Sequence, residues 1–266
     1  MDNDELFPDH SAMLTLVTLP ALNDNYIWLV HDNVHAVVVD PGETAQVLHF
    51  LQAHHLSLDA ILCTHHHGDH TAGIMKLREE YPSAQVYAPG SERFTGFRTI
   101  AVTEPDHLEI LGHPCRVLNV PGHTGDHIAY HLSPWLFCGD TLFGAGCGRI
   151  FDGDARSFYQ SLQKISQLPD DTQICCAHEY TLANLKFALA VMPDNQQLKQ
   201  RIAADSHKRE QLQPTIPSLL SLEKATNPFL RCHTPEVEYA VSQHSYQSPQ
   251  DATDVFTLLR QWKDTF

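Results

Sequence analysis

Within the seven residues Thr64-His65-His66-His67-Gly68-Asp69-His70 the chain carries four imidazoles and one carboxylate. In an extended loop the side chains at i and i+2 project the same way, so His65 and His67 can close on one cation while His66 faces elsewhere. Asp69 and His70 stand where the backbone turns into a helix, within reach of a second position beside the first. The 19 histidines of the chain make accidental clusters more common, and a histidine-rich tract can be a plain polar loop or an adventitious metal binder. A His-x-His-x-Asp-His order directly behind an apolar strand is more specific than a run of histidines.

Three later apolar runs end in the same way. The run 115–120 is followed by Pro121-Gly122-His123, the run 135–139 by Asp140, and the run 173–177 by His178-Glu179-Tyr180. Four strands each deliver a ligand-type side chain at the carboxyl end, as at the active rim of a sheet-and-helix domain. Imidazoles and carboxylates suit zinc, iron and manganese. Two such cations lower the pKa of a shared water to about 7, so that no side-chain base is required to make a nucleophile.

The elements that must position these groups are legible from periodicity. Strands are expected over 14–19, 26–30, 36–40 and 59–63, with a helix over 44–51 before the histidine loop and another over 71–77 after it. Gln85-Val86-Tyr87-Ala88 reads as a strand stopped by Pro89-Gly90, and a meander follows over 108–110, 115–120, 127–130 and 135–138. Past His178 the pattern becomes helical, over 182–189, 196–210, 218–224 and 254–263. The chain therefore divides into a disordered leader (1–12), a catalytic domain (13–178) and a smaller helical domain (179–266).

Composition limits the partners. Acidic residues outnumber basic ones 32 to 17, for a formal net charge of −15, and no Lys/Arg run tracks a phosphate backbone, so nucleic acid is excluded as a partner. No apolar stretch reaches the roughly 20 residues needed to span a bilayer, and the first residues lack the pattern of a signal peptide. Seven scattered cysteines fit reduced, buried thiols in the cytoplasm. Cys175-Cys176 is read as packing, Cys147 as a bystander, and His31, His35, His54 and His55 as surface residues. A monomer is expected.

The ordered set Thr64-His65-x-His67-x-Asp69-His70, Gly122-His123-Thr124, Gly139-Asp140-Thr141 and Ala177-His178-Glu179 resembles the signature of the metallo-β-lactamase superfamily. Asn25-Tyr26-Ile27-Trp28, Gly146-Cys147-Gly148-Arg149, Cys176-Ala177-His178-Glu179-Tyr180-Thr181, Asn227-Pro228-Phe229-Leu230-Arg231 and the closing Lys263-Asp264-x-Phe266 are similar to the hydroxyacylglutathione hydrolase (glyoxalase II) family from Met13 to Phe266. The resemblance implies an α/β fold, an αββα sandwich followed by a smaller C-terminal α-helical domain that helps to hold glutathione. It implies two divalent metal ions, zinc before iron or manganese: one on His65, His67 and His123, the other on Asp69, His70 and His178, with Asp140 bridging and with Asp69 and Asp140 catalytic. Substrate contacts fall on Arg149, Phe151, Tyr180, Arg260 and Lys263. The implied reaction is hydrolysis of the thioester S-D-lactoylglutathione to D-lactate and glutathione by a metal-bridging hydroxide, the second step of methylglyoxal detoxification.

The match departs at a few positions. Phe151 stands where some family members carry a tyrosine, Ala72 where glycine is common, and Asp126 near His123 is expected to point to solvent, with His127 in a supporting role. Rival readings are another superfamily hydrolase acting on a lactone, a β-lactam or a different thioester, a single-iron persulfide dioxygenase, and a non-catalytic metal-binding module. Arg260, Lys263 and the helical domain discriminate against the first, and a complete ligand set with a bridging carboxylate against the last.

Overall fold

The computed structural model describes residues 13–266, and the leader expected over 1–12 lies outside the described residues. The chain opens with three antiparallel strands, β1 (Thr15–Ala21), β2 (Asn25–His31) and β3 (His35–Val39), followed by α1 (Ala45–Ala53) and β4 (Ser57–Leu62). Two short helices, α2 (Gly68–Thr71) and α3 (Ile74–Glu80), lead into β5 (Gln85–Pro89) and β6 (Ile100–Val102), which complete a six-stranded sheet in sequence order, parallel from β3 onward. The single helix expected over 71–77 is two helices because Gly73 comes against the carbonyls of Pro41 and Glu43, where a Cβ would lie 2.6 and 2.8 Å from them. That close approach folds the histidine loop back onto the end of β3.

The second sheet is built from β7 (His107–Ile110), β8 (His113–Asn119), β9 (Ile128–Leu132) and β10 (Trp135–Gly139). A two-stranded hairpin, β11 (Leu142–Phe143) with β12 (Gly146–Cys147), precedes α4 (Ala155–Ser166) and β13 (Gln173–Cys176), the strand parallel to β10. Beyond it come α5 (Thr181–Val191), α6 (Gln196–Glu210), the edge strand β14 (Ser218–Leu219), α7 (Leu220–Thr226), α8 (Pro235–Ser245) and α9 (Ala252–Thr265). Ser218 and Leu219, expected as the first residues of a helix, pair instead with Ile174 and Gln173.

Alternation along the strands explains the layers. Trp28, Val30, Val37, Val39, Ala60 and Leu62 point into the core shared by both sheets, while Ile27, Leu29, Val38 and Ile61 pack against Val47 and Leu51 of α1 and Ile74 and Leu77 of α3. Both faces of the first sheet are covered, so β2 is buried along its whole length. His31, read as a surface residue, is 7% exposed for this reason. On the other sheet α4 lays Phe158, Leu162 and Ile165 against the core; its signal, apolar residues spaced by four and three behind an Asp154 cap on the Ser157 N–H, was open to reading in the sequence. Helix, sheet, sheet, helix is the metallo-β-lactamase fold.

The C-terminal helices do not keep a core of their own. Phe256 of α9 meets Phe158 of α4 edge-on at 5.6 Å, and Phe187, Phe229 and Leu259 belong to the same apolar cluster as the sandwich. Among the described residues no helix is long and apolar enough to cross a membrane.

Candidate metal centre and active site

All seven predicted ligand-type residues arrive at one end of the sandwich, where β4, β8, β10 and β13 finish. His65 Nε2 lies 3.0 Å from His67 Nδ1, and His123 Nε2 lies 3.1 Å from the same atom. Beside this trio, Asp69 Oδ2 is 3.4 Å from both His70 Nε2 and His178 Nε2. Asp140 stands between the two groups. Its Oδ1 is 3.4 Å from His70 Nε2 and from His178 Nε2, and its Oδ2 is 3.4 Å from His123 Nε2.

The outward ring nitrogens of His65, His70, His123 and His178 are engaged. His70 Nδ1 donates to Asp40 at 3.1 Å, His178 Nδ1 to Asp24 at 2.9 Å, and His123 Nδ1 to the Arg149 carbonyl at 2.8 Å. Thr64 gives its hydroxyl proton to Asp40 at 2.7 Å, so its oxygen accepts from His65 Nδ1 at 3.0 Å. Each partner fixes a tautomer whose Nε2 lone pair points inward. Asp40 and Asp24 were not singled out in the sequence. Asp40 obeys the rule that found the others, a ligand-type residue ending an apolar strand, whereas nothing local marks Asp24.

His127 is buried behind the centre. Its Nε2 accepts the Asp140 N–H at 3.2 Å and its Nδ1 donates to the Ile128 carbonyl at 3.0 Å. Burial, helped by the His123 imidazole, pushes its pKa down to about 3, so it serves as a neutral prop for the Asp140 backbone. Asp126 does not point to solvent; its carboxylate faces His66 at 3.8 Å. Gly148 is required by closeness, because a Cβ there would collide with the Asp140 carbonyl.

The two groups differ in charge. Burial holds His65 well below its ordinary pKa and lowers His67 and His123 too, leaving three neutral imidazoles. A proton on His67 Nδ1 can serve only one of the two lone pairs facing it, whereas a cation serves all three nitrogens. In the other group burial also opposes charge, but Asp140 and Asp40 outweigh it at His70 and raise its pKa well above normal. The carboxylates of Asp140, Asp69 and Asp24 outweigh burial at His178 and push it up to about 10. The carboxyl of Asp69 is held far below its usual range by His178 and then His70.

These donors fit divalent cations. Ligands about 2.0–2.1 Å from a tetrahedral zinc are themselves roughly 3.3–3.4 Å apart, which is the spacing found around Asp140 and Asp69. His70 Nε2 and Asp140 Oδ1 are buried without a hydrogen-bond partner among the described residues, a costly state unless a cation completes them. A cation needs the Nε2 lone pairs of His70 and His178, and the raised pKa values of these rings favour protons there in its absence, so loading expels protons and affinity climbs with pH. Calorimetric zinc titration at pH 7 in two buffers of different ionisation enthalpy is expected to report at least one proton released per chain, and release of none would contradict this charge state.

Next to the centre a cavity of about 530 Å³ opens. Arg149, Arg260 and Lys263 form one wall, and Phe151 and Tyr180 flank the ligands. Phe151, 65% exposed, leans edge-on against His67 at 5.1 Å and His123 at 5.0 Å. Tyr180 stacks flat on His178 at 4.6 Å, and Phe143 meets both rings edge-on. Arg260 is buried, donating to the carbonyls of Cys147 at 3.1 Å and Gly148 at 3.3 Å. Lys263 has its pKa lowered by burial and by the neighbouring Arg260 and Arg149. Arg260 is also paired with Asp264 at 3.0 Å, which leaves Arg149 and Lys263 as the charges of this wall open to an anionic ligand.

The metallo-beta-lactamase superfamily profile matches residues 22–178, and the profile described as hydroxyacylglutathione hydrolase C-terminus matches residues 179–266. A hydroxyacylglutathione hydrolase of Aeromonas hydrophila is 46% identical over 96% of this chain and 100% of its own length. One of Aliivibrio salmonicida is 49% identical over the same shares. The chain belongs to the hydroxyacylglutathione hydrolase family.

A solved structure of ETHE1 from Myxococcus xanthus, 29% identical, superposes with a TM-score of 0.56 over 82% of this chain and 99% of that one. In this hydroxyacylglutathione hydrolase family member the histidine and aspartate cluster at the sheet ends is a divalent-metal centre, as its superfamily implies.

Proposed function

We propose that the chain hydrolyses S-D-lactoylglutathione to D-lactate and glutathione, with two cations of which zinc suits the donor set best and iron or manganese also fit. His65, His67 and His123 would hold one cation, Asp69, His70 and His178 the other, and Asp140, standing between the groups, would serve both. When bound, the pair supplies a water acidified toward neutral pH and Lewis acidity at the thioester carbonyl. The observation that carries the reading is the sharing of one cavity by this centre and the wall of Arg149, Arg260 and Lys263, because glutathione brings two carboxylates and the acyl thioester must reach the ligands at the same time.

The roles of the protein groups follow from their positions. Arg149 and Lys263 receive glutathione carboxylates, Arg260 holds the Cys147-Gly148 backbone beneath them, and Phe151 screens the acyl side from bulk water. Tyr180 and Phe143 fix the His178 ring. Glutathione leaves as a thiolate whose conjugate thiol has an ordinary pKa of about 8.5, so no side-chain acid has to donate a proton. The sandwich (13–178) would supply the chemistry and the helices (179–266) most of the cationic wall, in a monomer. The seven cysteines are unpaired and buried, which supports a cytoplasmic setting.

Replacing Arg149 and Lys263 together by Ala removes two charge-assisted contacts worth about 1.5 kcal/mol or more each, so KM should rise at least tenfold while kcat changes less. Initial rates across substrate concentration check this, and an unchanged KM would exclude the cationic wall from binding. The reaction itself is tested by thiol release from S-D-lactoylglutathione beside a panel of lactones and other thioesters. A lactone turned over faster than the glutathione thioester would overturn the assignment.

A further inference from the structure

We infer that Asp24 and Asn25, neighbours where the turn after β1 enters β2, are positioning residues for the Asp69, His70 and His178 group alone, and that they tune one cation site without touching the other. The inference rests on the two-cation reading above. Asp24 Oδ1 accepts from His178 Nδ1 at 2.9 Å, and Asn25 Nδ2 donates to Asp69 Oδ2 at 3.2 Å and reaches the Asp69 carbonyl at 3.5 Å. One dipeptide therefore grips two ligands that lie 154 and 44 positions away in the chain.

The turn is itself tied down by main-chain bonds on both sides of these contacts. The Glu179 N–H donates to the Asp24 carbonyl at 2.8 Å and the Tyr26 N–H to the Ala177 carbonyl at 2.7 Å, with Asn25 and His178 forming an antiparallel bridge between them. Trp28 Nε1 adds a bond to the Cys176 carbonyl at 3.0 Å. The start of β2 and the end of β13 thus move as one piece, and the Asp24 carboxylate meets the imidazole in a fixed register. Orientation by such a carboxylate sets the ring, selects the tautomer with Nε2 free and makes that nitrogen a better donor. Asn25 fixes the orientation of the Asp69 carboxylate by donating to the oxygen that faces His70 and His178.

Nothing in this turn reaches the other group. His65 is oriented by Thr64 and His123 by the Arg149 carbonyl. Asp24 is also partly open to solvent, its side chain 42% exposed, so its loss leaves no cavity in the core. A residue with only a structural role would weaken both sites together; Asp24 and Asn25 must weaken one.

The test is zinc retention by the full chain against a graded chelator, read by elemental analysis, with melting of each zinc-free protein measured alongside. Wild type should hold two zinc ions per chain. In Asp24→Ala and Asn25→Ala one zinc should be lost at roughly 10- to 100-fold lower chelator strength while the other is held as in wild type, and Asp24→Asn, which keeps an acceptor oxygen without its charge, should fall between. Should Asp24→Ala fail to fold, Asn25→Ala and Asp24→Asn decide. Equal weakening of both ions, or none, with two ions in wild type would overturn the inference alone. A wild-type chain holding only one zinc would overturn the two-cation reading and the inference with it.

Discussion

Asp140→Ala is expected to lose bound metal and turnover together. Each oxygen of Asp140 faces a different group, Oδ1 toward His70 and His178 and Oδ2 toward His123, all at 3.4 Å. Its position is enforced from behind, where Gly139 adopts a left-handed φ of 48° against Thr64 and His127 accepts the Asp140 N–H. Losing a supporting residue around a metal commonly costs 10- to 100-fold in affinity, and losing a shared ligand costs more at both ions at once. Because the cations supply several kcal/mol of transition-state stabilisation, kcat/KM should fall by at least about 10³. Elemental analysis and initial rates on the same preparation check both parts. A variant with full metal content and full turnover would remove the bridging role.

Glu223→Ala should produce the largest loss of stability. Glu223 is fully buried and accepts from Arg201 at 2.6 Å, Ser218 at 2.6 Å, Asn227 at 3.2 Å and the Ala145 N–H at 2.9 Å. Arg201 is 3% exposed, with Asp205 at 3.1 Å as its other carboxylate. Taking one partner out of a buried pair leaves an uncompensated charge, and such deletions cost about 3–5 kcal/mol. In a chain of this size that corresponds to a fall in Tm of about 10 °C, measurable by calorimetry. The loss should also reach the active site, since Glu223, Asn227 and Asn184 hold the β11–β12 hairpin by its backbone and that hairpin carries Phe143 onto His178. A Tm within 2 °C of wild type would show that Arg201 finds full compensation from Asp205.

The histidine and aspartate cluster was legible because its chemistry is written in residue types: apolar strands that end in His or Asp have few other reasons to do so. The same directness made β2, β4, β8 and β13 readable. What escaped depends on distances across the chain. Asp24 lies in a polar turn like many others, and only the fold brings it to His178, 154 residues on. His31 looked like a surface histidine because its neighbours Asp32 and Asn33 are polar, yet β2 is covered on both faces. Short pieces such as β11, β12 and β14 have two residues each, too few to show a period. Their place is set by side chains from elsewhere, here Asn227, Glu223 and the edge of β13.

The cationic wall shows how a site can contradict the global charge. The formal net charge of −15 disfavours an anionic substrate at long range, but screening confines that field to about 10 Å at ordinary salt. Within that distance Arg149 and Lys263 line the cavity on the side away from Asp69 and Asp140, with Arg260 paired to Asp264.

Where the cations sit decides between one site and two. Diffraction from metal-loaded crystals, collected on both sides of the zinc absorption edge, should give two anomalous peaks flanking Asp140, one bounded by His65, His67 and His123 and the other by Asp69, His70 and His178. A single peak, or a pair of peaks with His178 turned away from both, would contradict the two-cation reading.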